Sequence, residues 1–138
     1  MATVPFKLIT PIAVRFDGEA ELVIATGTEG ETGILPQHAP YLTTVRPGVL
    51  RANVVEGGAT KRLELATGEG FLQVLPERVT LLVDAAFEHN EVNVDATRRD
   101  LSAAQERQRA AGGDLETYRR EQSIIDLATA KLYIAGIH

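Results

Sequence analysis

VTLLVDAAFEHNEVNVDATRRDLSAAQERQRAAGG, residues 79–113, changes its period halfway along, and that change decides the fold. Its opening, Val79 to Asp84, is short, β-branched and alternating, as a strand with one wet face should be. From Glu91 the pattern is different. Residues 94–111 contain no glycine, proline or aromatic residue and are rich in Ala, Arg, Gln and Glu, so they read as a helix. Asp95 is the expected N-cap, and Gly112-Gly113 the stop. Asp114 can cap a second helix over 115–135, with Gly136 as its terminator. A joint of two or three residues between two such helices makes an antiparallel hairpin.

Upstream of the switch the chain reads as strands. PFKLIT, ELVIAT, VLRANVV, KRLELAT and GFLQVL are all short apolar runs. Turn signals separate them at Asp17-Gly18, Gly57-Gly58, Gly68, Gly70 and Pro76-Glu77. Strands about ten residues apart with tight turns indicate an antiparallel sandwich or barrel. The chain thus divides into an all-β unit over 1–88 and a helical hairpin over 89–138.

The two helices are unequal. The second carries Tyr118, Ile125 and Leu132 at seven-residue spacing, joined by Ile124 and Ala128, whereas the first has Leu101 and alanines. Fixing a residue costs roughly 1–2 kcal/mol and a buried leucine returns about 1.5–3 kcal/mol, so the first helix cannot hold itself down strongly. The spacing therefore predicts a hairpin marginally attached to the strands, and such elements move.

Composition removes several classes of function. Residues 1–88 carry 7 Lys/Arg against 11 Asp/Glu, and residues 89–138 carry 7 against 8, so neither half offers the basic face that a phosphate backbone demands. Nucleic acid is not an expected partner. There is no cysteine, in agreement with a reducing compartment. MATVPFKLITPI has neither a basic start nor an unbroken apolar core, so no secretory signal is expected. No run approaches the roughly 20 apolar residues of a membrane helix, so no direct membrane insertion is expected.

Three features invite a chemical reading. GTEGETG, residues 27–33, spaces its glycines by three, but the prolines of ILPQHAP forbid the helix that a phosphate loop opens, and Glu29 and Glu31 would repel phosphate. His38 could serve as a base or ligand, yet the other histidines are only His89 and His138, and no Ser-His-Asp grouping is suggested. Neither a metal nor a catalytic residue is expected. Pro36, Pro40 and Pro47 instead make residues 30–48 a stiff connection, more suited to docking than to acting as a lid. Arg98, Arg99, Arg107 and Arg109 are by default a solvated face, with Asp95 placed to pair with Arg99. The sharper reading is an anion or nucleotide site, which would make the chain a free-standing binding module.

The order of motifs is similar to a known family. F-x-L-x-T-P (Phe6 to Pro11) precedes G-x-x-G-I-L-P-x-H-A-P-x-x-T (Gly30 to Thr43), then Pro47-Gly48, then Gly70-Phe71 before V-T-L-L. With the charged hairpin at the end, the chain resembles the epsilon subunits of bacterial F-type ATP synthases, counterparts of the mitochondrial delta subunits. The resemblance spans essentially all 138 residues; its G-I-L-P-x-H-A-P core is highly specific and its hairpin looser.

That resemblance implies a sandwich of about ten strands followed by two helices, and a non-catalytic part in the rotating central stalk. The implied partners are the gamma subunit, the ring of c subunits, and the alpha/beta catalytic head when the hairpin extends. Glu31, His38 and Thr43 would lie near the rotor contacts. The implied location is peripheral, on the cytoplasmic face of the bacterial membrane. An extended hairpin would hinder ATP hydrolysis. No cofactor is required, but some members bind regulatory ATP through I/L-D-x-x-R-A. Here the stretch is Val94-Asp95-Ala96-Thr97-Arg98-Arg99, with arginine in place of alanine. Asp95 and Arg98 match, Lys131 can stand for a basic residue of the second helix, and Leu127 falls where better binders carry arginine.

Overall fold

The computed structural model describes residues 2–27 and 30–137. The readings that involve Glu29 and His138 lie outside them. Nine strands are described: β1 Val4–Thr10, β2 Ala13–Gly27, β3 Gly30–Ile34, β4 Tyr41–Val45, β5 Gly48–Glu56, β6 Ala59–Thr67, β7 Gly70–Leu75, β8 Arg78–Val83 and β9 Ala86–Phe87. A 3₁₀ turn, His89–Glu91, leads into α1, Val94–Ala110, and α2, Leu115–Ile134.

The strands form a sandwich because β2 is long enough to serve both layers. Its first half pairs with β1, and its second half pairs with β3 and β5 across a register shift between Ala20 and Leu22. One layer runs β1-β8-β7-β4; β5, β6 and β9 extend the other. All pairings are antiparallel except β1 with β8. Alternation then fills the space between the layers. Phe6, Leu8, Leu72, Val74, Val79 and Leu81 face Val23, Ile34, Leu50, Val54 and Leu65 in one core, and none of these is more than marginally exposed. Each such side chain contributes about 1.5–3 kcal/mol of burial, which makes this layer pair the rigid part of the molecule.

Close backbone approach explains one motif glycine. A Cβ on Gly70 would stand 1.7 Å from the Leu82 carbonyl oxygen, so β7 and β8 can meet at Gly70-Phe71 only without a side chain there. Gly57-Gly58 turns β5 into β6 with positive φ at both positions, as the sequence suggests.

Four local expectations are corrected. Asp17-Gly18 is no turn; both residues lie inside β2 and pair with Lys7 and Phe6. Residues 30–48 are not one loop, because β3 and β4 occupy most of them and the irregular parts shrink to residues 35–40 and 46–47. The α1 N-cap is Asn93, whose side chain accepts from the Ala96 amide, and Asp95 sits in the first turn instead. Tyr118 is exposed, so it is not part of the α2 seam. Asp114 does cap α2, accepting from the Glu116 and Thr117 amides. Its carboxyl is held below the usual range, chiefly by the Thr117 hydroxyl.

The helices form a hairpin. α1 offers α2 a narrow seam of Thr97, Leu101, Ala104 and Gln108, and most of its other residues are exposed. Near the joint, Arg107 donates to both carboxylate oxygens of buried Glu121, at 2.7 and 3.0 Å, and Gln108 donates to Gln122. The expected Asp95–Arg99 pair does not form among the described residues; Arg107–Glu121 and Arg109–Glu106 are the ion pairs present in the hairpin. It is α2 that packs on the sandwich, against β5 and β6.

Candidate functional site

The two outer faces of the sandwich are used differently. On the β5–β6 face lies α2, which ends at a glycine in the left-handed region. Gly136 has φ +89°, and the Gly136 and Ile137 amides return to the Tyr133 and Leu132 carbonyls. Just before this stop, Lys131 Nζ sits 4.3 Å from the centroid of the Phe87 ring. One turn face away, the Arg51 guanidinium lies 5.9 Å from the centroid of the Tyr133 ring.

Arg51 is the most connected side chain of this face. It donates to Glu31 of β3 at 2.5 Å and stands 3.8 Å from Glu64 of β6. Burial pulls its pKa down, but Glu31 and Tyr133 outweigh that and leave it raised. Farther along, the first half of α2 stands off from the strands. A cleft of about 440 Å³ separates Arg119, Arg120 and Leu127 from Pro47, Glu69 and Asp84. Where the sandwich passes into the hairpin, Arg15 of β2 is paired with Glu91. That pair raises the arginine pKa and lowers that of the glutamate.

Among the described residues, the opposite face, on β4, β7, β8 and β1, carries no helix. Register places Thr44, Phe71, Leu82, Ile9 and Val14 in one row across five strands, each opposite the next. Phe71 is 53% exposed, Leu82 47% and Val14 57%. Leu42, 67% exposed, extends the patch two residues along β4, and Ile12 in the β1–β2 turn extends it at the other end. Scattered exposed apolar residues are ordinary; a contiguous row rimmed by Gln73, Thr80 and Lys7 is the kind of patch that marks a candidate interaction surface. Alternation in GFLQVL and RVTLLV already puts Phe71 with Gln73, and Leu82 with Thr80, on the wet side. The row is thus written in the period of these two strands, although no motif marks it.

The residues singled out from the sequence fall into two groups. Glu31, His38 and Thr43 are all in the β3–β4 segment. Glu31 is bound to Arg51, the His38 ring is tilted over Tyr41 at 5.3 Å, and Thr43 is half-buried. Asp95 and Arg98 are exposed at the start of α1 and have no hydrogen-bond or ion-pair partner among the described residues. The antiparallel hairpin puts them at the same end as Lys131, but Lys131 faces Phe87. Leu127 lines the cleft rather than this end. Among the described residues, no group of three or more His, Asp or Glu could hold a metal, and no helix is long and apolar enough to cross a membrane.

A β-sandwich closed around one core, with a two-helix hairpin lying on one face and an exposed apolar row on the other, defines the class of fold. Residues 3–89 match the family model of the ATP synthase delta/epsilon chain β-sandwich domain. The ATP synthase epsilon chain of Rhodospirillum rubrum is 38% identical over 114 residues, 83% of each chain. That of Chromobacterium violaceum is 34% identical over 135 residues, 98% of this chain and 86% of the relative. A chain in the cryo-EM structure of the Euglena gracilis mitochondrial ATP synthase, OSCP/F1/c-ring, superposes with a TM-score of 0.78 at 19% identity. It covers all of this chain and 83% of its own length. The chain belongs to the ATP synthase epsilon chain family, a non-catalytic subunit class.

Proposed function

We propose that this chain is a central-stalk rotor subunit of an F-type ATP synthase, in which residues 1–88 dock and residues 89–138 regulate. The apolar row Phe71–Leu82–Ile9–Val14 carries the proposal: it is the surface a gamma subunit would cover. Glu31, His38 and Thr43 extend the contact around the β3–β4 end, toward the ring of c subunits. The complex would hold the chain peripherally, on the cytoplasmic face of the bacterial membrane. Torque transmission favours a body that does not yield, and a sandwich closed around a single core meets that requirement.

The hairpin is assigned a second role, hindering ATP hydrolysis when it leaves the sandwich and extends toward the alpha/beta head. Its support is the thin attachment: α1 touches mainly α2, and α2 stands off from the strands over its first half. Regulatory ATP would meet Asp95 and Arg98, which have no other partner among the described residues, and would draw Lys131 away from the Phe87 ring. Calorimetry on wild type against Asp95→Ala and Arg98→Ala tests that site; identical heats would remove it. Co-purification with a gamma-type partner tests docking, since a free-standing nucleotide-binding module would run alone. Deleting residues 89–138 should raise hydrolysis by the assembled complex while assembly stays intact. Unchanged hydrolysis would remove the inhibitory role.

A further inference from the structure

Among the described residues, the polar and cation–ring contacts between α2 and the strands are concentrated in the last turn of the helix. There, Lys131 meets a ring of the sandwich side, Phe87, and Tyr133 offers its ring and its phenol oxygen to a cation of the sandwich, Arg51. The arrangement is reciprocal: each partner supplies one cation and one ring. The first half of α2 has nothing comparable. Arg119 and Arg120 look across the cleft at Glu69 and Asp84 without forming an ion pair with either.

Arg51 is not free to follow the helix. Glu31 holds one terminal nitrogen at 2.5 Å, and Glu64 lies 3.8 Å from Nε. Only 23% of the Arg51 side chain is exposed, so its attraction to the ring is less screened than on an open surface. Glu31, in contrast, is 54% exposed along its side chain and reachable by a partner.

We propose that the last turn of α2 is a two-point cation–aromatic latch holding the hairpin on the sandwich, and that Glu31 sets one of the two points by positioning Arg51. A cationic group of a docking partner that takes the Glu31 carboxylate leaves Arg51 with only the more distant Glu64, and the Tyr133 contact loosens. Occupancy of the β3 surface is thereby read out at the hairpin. The latch needs no bound nucleotide. The proposal rests on the reading that the hairpin leaves the sandwich, and it names the contact that must break first.

The chain has no cysteine, so a pair introduced at exposed Lys61 and Ala103 can be spin-labelled without other changes, and distance distributions measured by pulsed electron resonance. Tyr133→Leu and Lys131→Met should each raise the detached population roughly five-fold, and together about twenty-five-fold, with helical circular dichroism unchanged. Glu31→Gln should reproduce part of the Tyr133→Leu effect and add nothing in the Tyr133→Leu background. A double variant whose distances equal wild type overturns the latch. Equal Glu31→Gln effects in both backgrounds overturn the positioning role. Detachment without any change in ATP hydrolysis by the assembled complex would leave the latch standing and remove the inhibitory role, so the two readings fail separately.

Discussion

Replacing Phe71 with serine should weaken docking while sparing the fold. Phe71 is 53% exposed, and its Cβ points away from the core that Leu72 and Val74 fill. A phenylalanine presents on the order of 200 Å², so roughly 100 Å² stand in water and would be covered by a partner. At about 25 cal/mol per Å² that area corresponds to ~2.5 kcal/mol, an upper value because desolvation and ordering of the interface take their share. The affinity for a gamma-type partner should fall between about 5- and 60-fold, measured by titration calorimetry on the full chain. The isolated protein should keep its thermal midpoint, since a surface replacement usually stays within about 0.5 kcal/mol. Leu82→Ser, next in the row, should act in the same direction. A midpoint lowered by several degrees with affinity intact would refute the reasoning, because it would make Phe71 part of the core.

Gly70→Ala should be among the most damaging single methyl additions, costing about 1–3 kcal/mol in urea unfolding, because its Cβ meets backbone that cannot step aside. Arg107→Ala should lower hairpin stability by about 1–3 kcal/mol by leaving the buried Glu121 carboxylate uncompensated, whereas Arg109→Ala, whose pair with Glu106 is exposed, should do almost nothing. Hydrogen exchange in α1 would separate the two. The Arg15–Glu91 pair should add stability at neutral pH and fade in acid. The folded Glu91 pKa is depressed, so its contribution is present above the unfolded value and is lost as pH falls through the folded one. The gap between wild type and Arg15→Met in thermal midpoint should therefore close below about pH 4, and a gap that persists there would show that the pair acts through packing.

Much of this architecture was legible. Alternation located the cores of the strands, and Gly112-Gly113 with Asp114 located the joint of the hairpin, because these signals act over a few residues. What escaped depends on pairing at long range. Asp17-Gly18 has turn chemistry, yet it is held extended because Phe6 and Lys7 lie beside it. Glycines and prolines concealed β3 and β4, since pairing with β2 and β7 supplies order that local propensity does not. Asn93 displaced Asp95 as the cap because the chain leaves the 3₁₀ turn extended, so Asn93 is the residue that meets the Ala96 amide. Arg51, Phe87 and Glu121 carry no motif at all. Their importance arises only when α2 is laid against β5, β9 and α1.

The physical asymmetry between the two faces has a functional direction. Removing a side chain from the sandwich core, such as Leu65 or Leu72, opens a cavity and costs about 2–5 kcal/mol, so that body responds to load as a unit. Removing the hairpin from its seat breaks cation–ring contacts of about 0.5–2 kcal/mol each and wets a half-buried helix face. The second event leaves the sandwich core intact, and the first does not. In the proposed docking mode, a partner on the apolar row would grip layers whose shared core resists deformation. Through the proposed latch it would bias the hairpin instead, whose anchor shares Arg51 with the exposed carboxylate of Glu31.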